Sequence, residues 1–102
     1  MFVKKYLEMK KSKKTIPLDQ VMRALGDPIR LSAVRQLLDE KEKPCGTFDH
    51  DVAKATFSHH IKILEEVGII KSRLDGNKKL MSINQDFEKM FPGIISLIIQ
   101  EE

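Results

Sequence analysis

The sequence predicts a mainly α-helical domain that carries one β-hairpin, an α+β fold. Two observations predict it: apolar residues recur at helical spacing in three segments before residue 68, and two strand-like runs flank a turn at Asp75-Gly76-Asn77. With 102 residues, the chain has room for one domain and one core. Apolar residues make up 41% and charged residues 32%, which excludes a disordered or fibrous chain.

The first helix is predicted over residues 17–25. Its apolar residues fall at i, i+3, i+4 and i+7: Leu18, Val21, Met22 and Leu25. Gly26 ends this helix, and Asp27-Pro28 begins the next, because an acidic N-cap and a proline at the first helical position both favour a helix start.

The second helix is predicted to run to about Glu40. Three of its residues are expected to be buried: Leu31, Val34 and Leu38. Arg30 and Arg35 are expected to stay in solvent. The charged stretch Lys41 to Gly46 is predicted as a loop, and Thr47 to Ala53 fits either a short helix or an irregular turn.

The third helix is predicted over Lys54 to Val67. Phe57, Ile61 and Leu64 form its apolar stripe, and Gly68 can end it in the left-handed conformation. Strands are then predicted over Ile69 to Leu74 and Lys78 to Ile83. Helices followed by such a hairpin and a final helix are the order of a winged helix-turn-helix domain, predicted here over residues 16–91.

The carboxyl-terminal segment, residues 92–102, is predicted to form a dimerisation helix. It carries five large apolar residues: Ile94, Ile95, Leu97, Ile98 and Ile99. A domain of this size cannot bury all of them, so we expect them to pair with the first helix across a two-fold axis, which makes the fold a homodimer.

Charge is divided unevenly along the chain. The net charge is +3, but residues 1–14 alone hold six lysines against one acid, residues 53–83 are basic, and residues 84–102 are acidic. A basic amino-terminal arm, residues 1–15, and a basic middle segment favour a polyanionic partner, although a lysine-rich terminus could equally serve solubility.

Location and redox setting follow from features that the sequence lacks. Residues 1–14 have no apolar core or small-residue cleavage site typical of a secretory signal, and no apolar run approaches the roughly 18–20 residues of a membrane helix. The single cysteine, Cys45, excludes an internal disulfide and a multi-cysteine zinc site. We expect a cytoplasmic protein without a membrane partner and without a cofactor.

The face of the third helix opposite its apolar stripe has the composition of a DNA-reading surface. Six residues on it are candidate DNA contacts: Lys54, Ala55, Thr56, Ser58, His59 and Lys62. Ala55 permits close approach, Ser58 and His59 can bond base edges, and Lys62 can bind phosphate. Thr56 lies in the first turn, beside helix amides that also suit phosphate. A solvated amphipathic face has a similar composition.

The hairpin adds three more candidate DNA contacts. Arg73, Lys78 and Lys79 flank its turn and can reach a groove or the phosphates. An ordinary charged surface hairpin is the alternative.

Two segments resemble the ArsR family of winged-helix regulators. Residues 24–31, ALGDPIRL, resemble the start of that family's second helix. Residues 56–70, TFSHHIKILEEVGII, are similar to its recognition helix, whose usual form is T-V-S-H-H-L-K-x-L-x-x-A-G-L-V, and Arg73, Gly76 and Lys78 resemble its wing. The resemblance implies a homodimeric DNA-binding regulator, usually a repressor released by an effector. Because two recognition helices related by a two-fold axis enter successive major grooves, we expect an inverted-repeat operator in double-stranded DNA. It also places Ser58 and His59 at DNA-reading positions and His60 at an inward-tilted, structural one.

The chain departs from the family pattern where an effector would bind. Metal sensors of the family often carry Cys-x-Cys near the recognition helix or histidines in the last helix, whereas this chain has Cys45 alone and no histidine after Asn84. Ala53 replaces the usual serine cap, which could displace the start of the recognition helix by a residue or two. An atypical metal site of Cys45, His50 and nearby acids stays an alternative, but no metal site is predicted.

Cys45 is the candidate redox sensor. Lys41 and Lys43 would favour its thiolate, whereas Asp49 and Asp51 would oppose it, and a small loop residue without a sensing role is the alternative. An enzyme is not expected, because the cysteine and histidines lack an orienting group and an oxyanion donor. A winged-helix module that binds protein instead of DNA is the other alternative.

Overall fold

The computed structural model describes residues 15–101. Five helices and three strands follow in chain order: α1 (Leu18–Leu25), α2 (Pro28–Asp39), β1 (Lys43–Pro44), α3 (Lys54–Val67), β2 (Ile70–Asp75), β3 (Lys78–Ile83), α4 (Gln85–Met90) and α5 (Pro92–Glu101). The strands form one antiparallel sheet in the order β1-β3-β2. The predicted α+β class with a hairpin wing is confirmed. The predicted arm, residues 1–15, lies outside the described residues except for Thr15.

The boundary between α1 and α2 is set by the residues that predicted it. Asp27 is the N-cap of α2, and its Oδ1 accepts hydrogen bonds from the backbone amides of Ile29 at 2.9 Å and Arg30 at 3.1 Å. Partial burial raises the pKa of Asp27, but the two amide bonds and the Arg30 charge outweigh burial and leave the pKa below its ordinary value.

The buried faces of α1 and α2 differ from the predicted ones. In α1 the core takes Val21 and Ala24, while Leu18 and Met22 are 54% and 60% exposed. The buried positions of α2 are Ala33, Val34 and Leu37; Leu31 and Leu38, both predicted to be buried, are only partly so. A stripe of apolar residues shows which sides of a helix are apolar, but the neighbouring elements decide which side is covered.

The two arginines of α2 were expected to stay in solvent, but both have partners within the chain. Arg30 donates its Nε hydrogen to the Ala24 carbonyl at 2.7 Å, and Arg35 forms an ion pair with Glu101 at the end of α5. Arg35 thereby links α5 to α2, beside the place where Ile98 of α5 enters the core.

Residues 41–46 are not wholly a loop, contrary to the prediction. Lys43 and Pro44 form the edge strand β1, in which Lys43 lies opposite Met81 and Pro44 opposite Leu80. Proline is tolerated at a sheet edge because it has no hydrogen to donate to a further strand. A single 3-10 turn, Cys45–Thr47, follows, and irregular chain leads to α3.

The hairpin forms where it was predicted. Asp75 pairs with Lys78, so the turn consists of Gly76 and Asn77, and Gly76 has a φ of 62°. Gly68 ends α3 with a φ of 99°, a left-handed conformation that favours glycine. Within the described part of the chain, no helix is long and apolar enough to cross a membrane.

Candidate nucleic-acid interface

Helix α3 presents one buried and one exposed side, as its sequence predicts. Phe57, Ile61 and Leu64 are at most 3% exposed and face the core. All six predicted DNA contacts of this helix are exposed: Lys54, Ala55, Thr56, Ser58, His59 and Lys62. The geometry therefore brings them together on one solvent-facing surface, which we call the α3 face.

The start of α3 is open to an anion. Ala53 is the N-cap, and its side chain accepts no bond from the helix amides. The helix begins at Lys54, so the alanine does not displace the start. The amides of the first turn are donors without an intrahelical partner, and they lie beside Lys54 and the Thr56 hydroxyl.

The preceding loop anchors α3 through Phe57. The Phe57 ring stacks on His50, with ring centres 4.0 Å apart and planes 5° apart, and meets the Phe48 ring at 5.5 Å. Gln36 of α2 holds this loop by two hydrogen bonds of 2.9 Å to the backbone of Asp49. Helix α3 is therefore seated against a fixed loop.

His60 points inward, in agreement with the family pattern. Its side chain is only 14% exposed, and Nδ1 lies 3.0 Å from an Arg30 guanidinium nitrogen and 3.9 Å from Asp27 Oδ1. The two neighbouring histidines of α3 thus differ, since His59 is exposed on the α3 face and His60 contacts α2.

The charges of the wing, the β2–β3 hairpin, are partly neutralised within the chain. Arg73 binds Glu42 through two hydrogen bonds of 2.6 and 2.8 Å, which lowers the pKa of Glu42 and raises that of Arg73. Lys79 donates to Glu65 at 3.1 Å. Among residues 15–101, the Lys78 side chain has no ion-pair or hydrogen-bond partner.

Sequence reasoning missed Glu42 and Glu65. Glu65 lies on α3 and bridges both wing strands, because it also accepts a hydrogen bond of 3.0 Å from Ser72. Its partners are 7 and 14 residues away along the chain, and Glu42 is 31 residues from Arg73. An ion pair between residues this far apart in the chain produces no regular spacing in the sequence, so it could not be predicted before the fold was known.

Cys45 is half-buried in the 3-10 turn beside α3. It lines a groove of about 610 Å³ together with Ser58 and Lys62 of the α3 face and Lys79 of the wing. Lys43, expected to favour a thiolate, instead donates to Glu40 at 2.9 Å. No three histidine, cysteine, aspartate or glutamate residues between 15 and 101 are grouped as metal ligands.

Comparison with known proteins identifies related regulators. The family model described as bacterial regulatory protein, arsR family, matches residues 27–72 of the chain. The chain is 33% identical over 97 residues to the HTH-type transcriptional regulator YceK of Bacillus subtilis strain 168, covering 91% of this chain and 96% of that protein. It is 30% identical over 71 residues to the arsenical resistance operon repressor of Staphylococcus xylosus, covering 69% of this chain and 68% of the repressor.

The architecture also matches solved structures. The homodimeric winged helix-turn-helix DNA-binding domain of Mb0332 from Mycobacterium bovis, a possible ArsR-family regulator, superposes with a TM-score of 0.64. The match covers 82% of each chain at 22% identity. At this identity the likeness shows the fold, which is the winged helix-turn-helix predicted from the order of elements.

Proposed function

The chain belongs to the ArsR family of bacterial winged helix-turn-helix transcriptional regulators, and from that membership we propose that it is a homodimeric repressor that binds an inverted repeat and is released by an effector. As a member of this family the chain is a DNA-binding regulator and not an enzyme. A repressor acts on the chromosome, so we assign it to the cytoplasm.

The α3 face carries the proposal. Ser58 and His59 are exposed side by side with hydrogen-bonding groups suited to base edges, and Ala55 leaves room for the helix to approach the groove floor. Lys54, Thr56 and Lys62 surround them with donors suited to phosphates. Phosphate contacts fix the position of the helix, and base contacts then select the sequence.

The wing adds sequence-independent contacts in this proposal. The Lys78 side chain, unpaired within residues 15–101, can bind a phosphate directly, whereas Arg73 and Lys79 must first leave Glu42 and Glu65. Such exposed ion pairs contribute little stability because water screens both charges, so a closely placed phosphate can replace the carboxylate. The exchange favours DNA that fits both the helix and the wing.

Exposed apolar residues on two helices support a homodimer. Leu18 and Met22 on α1 and Leu97 and Ile99 on α5 are 54% to 66% exposed. Single exposed apolar residues are common, but pairs on two helices are typical of an assembly surface. We assign residues 92–102 to dimerisation with α1 across a two-fold axis, which would place two α3 helices about 34 Å apart in successive major grooves.

Residues 1–15 form the proposed phosphate-binding arm. The support is their charge alone, six lysines against one acid within residues 1–14. Each phosphate that the arm neutralises should steepen the dependence of binding on salt.

A binding experiment tests the repressor proposal. Wild-type protein selects sites from a random duplex library, and footprinting of the winner should protect two half-sites of an inverted repeat. His59→Ala and Ser58→Ala should relax the sequence preference, whereas Lys62→Ala should weaken all sequences alike and reduce the log–log salt slope by about 0.9. Lys89→Ala, which removes an exposed lysine from α4, is the charge-matched control and should change neither.

Two outcomes would contradict the repressor proposal. Protection of a single half-site or of a direct repeat would exclude the two-fold arrangement. Absence of binding to any duplex in a gel-shift assay would favour the alternative, a winged-helix module that contacts protein.

Thiol-based sensing by Cys45 is a second proposal, supported by the position of the thiol in the groove next to Ser58 and Lys62. Hydrogen peroxide would convert the thiolate to sulfenic acid with release of hydroxide, and a polar group added there would lie against the α3 face. Because each chain has one cysteine, any disulfide must join two molecules. A metal-responsive site is less well supported, since no ligand group is formed within residues 15–101.

Substitution of Cys45 by serine tests whether Cys45 is a redox sensor or a loop residue without a sensing role. Reduced Cys45→Ser should bind DNA as the parent does, because the size of the residue is preserved and the α3 face is untouched. Peroxide should release the parent, spare the variant, and be reversed by reductant. If mass spectrometry shows the thiol to be modified while affinity is unchanged, Cys45 is not the sensor.

A further inference from the structure

One arginine side chain joins three helices behind the α3 face. Arg30 of α2 donates its Nε hydrogen to the carbonyl of Ala24 at the end of α1, at 2.7 Å. The same guanidinium reaches His60 of α3, with 3.0 Å between the guanidinium nitrogen and Nδ1. Asp27 completes the cluster, with its Oδ1 3.9 Å from Nδ1. We call these three side chains the Arg30 junction.

The chemistry of the Arg30 junction fixes the state of the histidine. A guanidinium carries only donors and stays protonated, so Nδ1 of His60 must be the acceptor. In this arrangement Nδ1 carries no hydrogen, so the ring hydrogen is on Nε2. The Asp27 oxygen cannot readily replace the arginine bond, because it already accepts the amides of Ile29 and Arg30.

We propose that Arg30 and His60 are positioning residues that fix the rotation of α3 about its axis for DNA reading. In this proposal, protonation of His60 breaks its bond to Arg30 and frees α3 to rotate. Successive residues of a helix are separated by about 100°, so anchoring His60 inward keeps Ser58 and His59 directed outward. A modest rotation of α3 would misplace both base-reading side chains. The inference rests on the proposed DNA binding.

Protonation of Nδ1 removes the only hydrogen-bond acceptor of the His60 ring. The imidazolium would then place a hydrogen and a positive charge 3.0 Å from the Arg30 guanidinium. The charged groups facing the ring are Arg30 and Asp27 from α2 and its N-cap, with the His59 ring centred 6.3 Å away on α3. From α1 comes the neutral Ala24 carbonyl, already bonded to Arg30, and no other charged group of residues 15–101 bonds to the ring.

Two substitutions of His60 separate the hydrogen bond from the proton. His60→Asn can place an amide oxygen near the Nδ1 position and does not titrate, whereas His60→Leu removes the acceptor. Each is compared with the wild type on the duplex selected by the wild-type protein and on a scrambled duplex. The assays run at about pH 8 and about pH 5.5, on either side of the range in which histidines titrate.

The expected results differ for each protein. The wild type should lose about tenfold of its preference for the selected duplex at the lower pH, the equivalent of one hydrogen bond. His60→Asn should keep the preference at pH 8 and lose most of this pH dependence, while His60→Leu should be weak at both pH values. His50 and His59 are present in all three proteins, so the comparison isolates the effect of His60.

Equal pH dependence in the wild type and His60→Asn would overturn the proposal. Nitrogen-15 NMR of the imidazoles provides a test without DNA: Nδ1 of His60 should be unprotonated at pH 8, and its protonation should shift the amides of α3. A hydrogen on Nδ1 of His60 at pH 8 would refute the Arg30 junction, whether or not the protein binds DNA. Failure to bind any duplex would instead contradict the repressor proposal. His60→Asn carries the binding test if His60→Leu fails to fold.

Discussion

Leu97→Ala should weaken the proposed homodimer without unfolding the protomer. The Leu97 side chain is 66% exposed on α5, so it contributes little to the core of its own chain. Full burial of a leucine side chain is worth about 1.5–3 kcal/mol, and two-thirds of that is about 1–2 kcal/mol per protomer. Because the two-fold axis doubles the loss, the dimer should lose about 2–4 kcal/mol, which weakens association roughly 30-fold to 700-fold.

Sedimentation equilibrium over a range of protein concentrations measures this change. Leu74→Ala is the matched control, because Leu74 is 74% exposed at the wing, outside the proposed assembly surface. Its association should equal that of the wild type, and circular dichroism should show both variants folded. The reasoning is refuted if Leu97→Ala associates as tightly as the wild type, if Leu74→Ala weakens the dimer equally, or if the wild type is a monomer at micromolar concentration.

Four further results are expected. Glu42→Gln should free Arg73, raise affinity for random-sequence DNA and steepen the log–log salt slope by about 0.9, while Asp39→Asn leaves both unchanged. Phe57→Ala should lower the free energy of unfolding in urea by about 3–5 kcal/mol, because the ring is 3% exposed between Phe48 and His50. Asp27→Ala should cost about 1 kcal/mol at neutral pH as a lost N-cap. Since the pKa of Asp27 is lowered on folding, this difference should be complete above the ordinary aspartate value and shrink as the pH falls through the lowered one, which acid titration of both proteins would reveal. Deletion of residues 1–14 should flatten the salt dependence of DNA binding, and an unchanged slope would contradict a phosphate-binding arm.

Local signals account for the parts of the fold that were predicted correctly. Asp27-Pro28 begins a helix and Gly68 ends one through bonds within a few residues of themselves, so both boundaries can be read from the sequence. The turn at Gly76 is equally local. The exposure of the α3 face followed from its spacing relative to Phe57, Ile61 and Leu64.

The errors arose where distant residues decide the outcome. In α1, Leu18 and Met22 belong to the apolar stripe but are exposed, since α2 and α3 cover the side that carries Val21 and Ala24. Strand β1 is two residues long and contains a proline, so alternation could not reveal it, and only its register with β3 defines it. Arg30 was expected in solvent because its partners, Ala24 and His60, meet only after three helices pack.

The bridge made by Glu65 has a mechanical consequence. One carboxylate on α3 holds Ser72 of β2 and Lys79 of β3, so the helix that would read the major groove and the hairpin that would follow the backbone share a common brace. In the proposed complex, where Lys79 leaves Glu65 for a phosphate, the bond from Ser72 to Glu65 would still join α3 to β2. A movement of α3 would therefore carry the wing with it, so the base-reading helix and the phosphate-binding hairpin would shift together on the DNA.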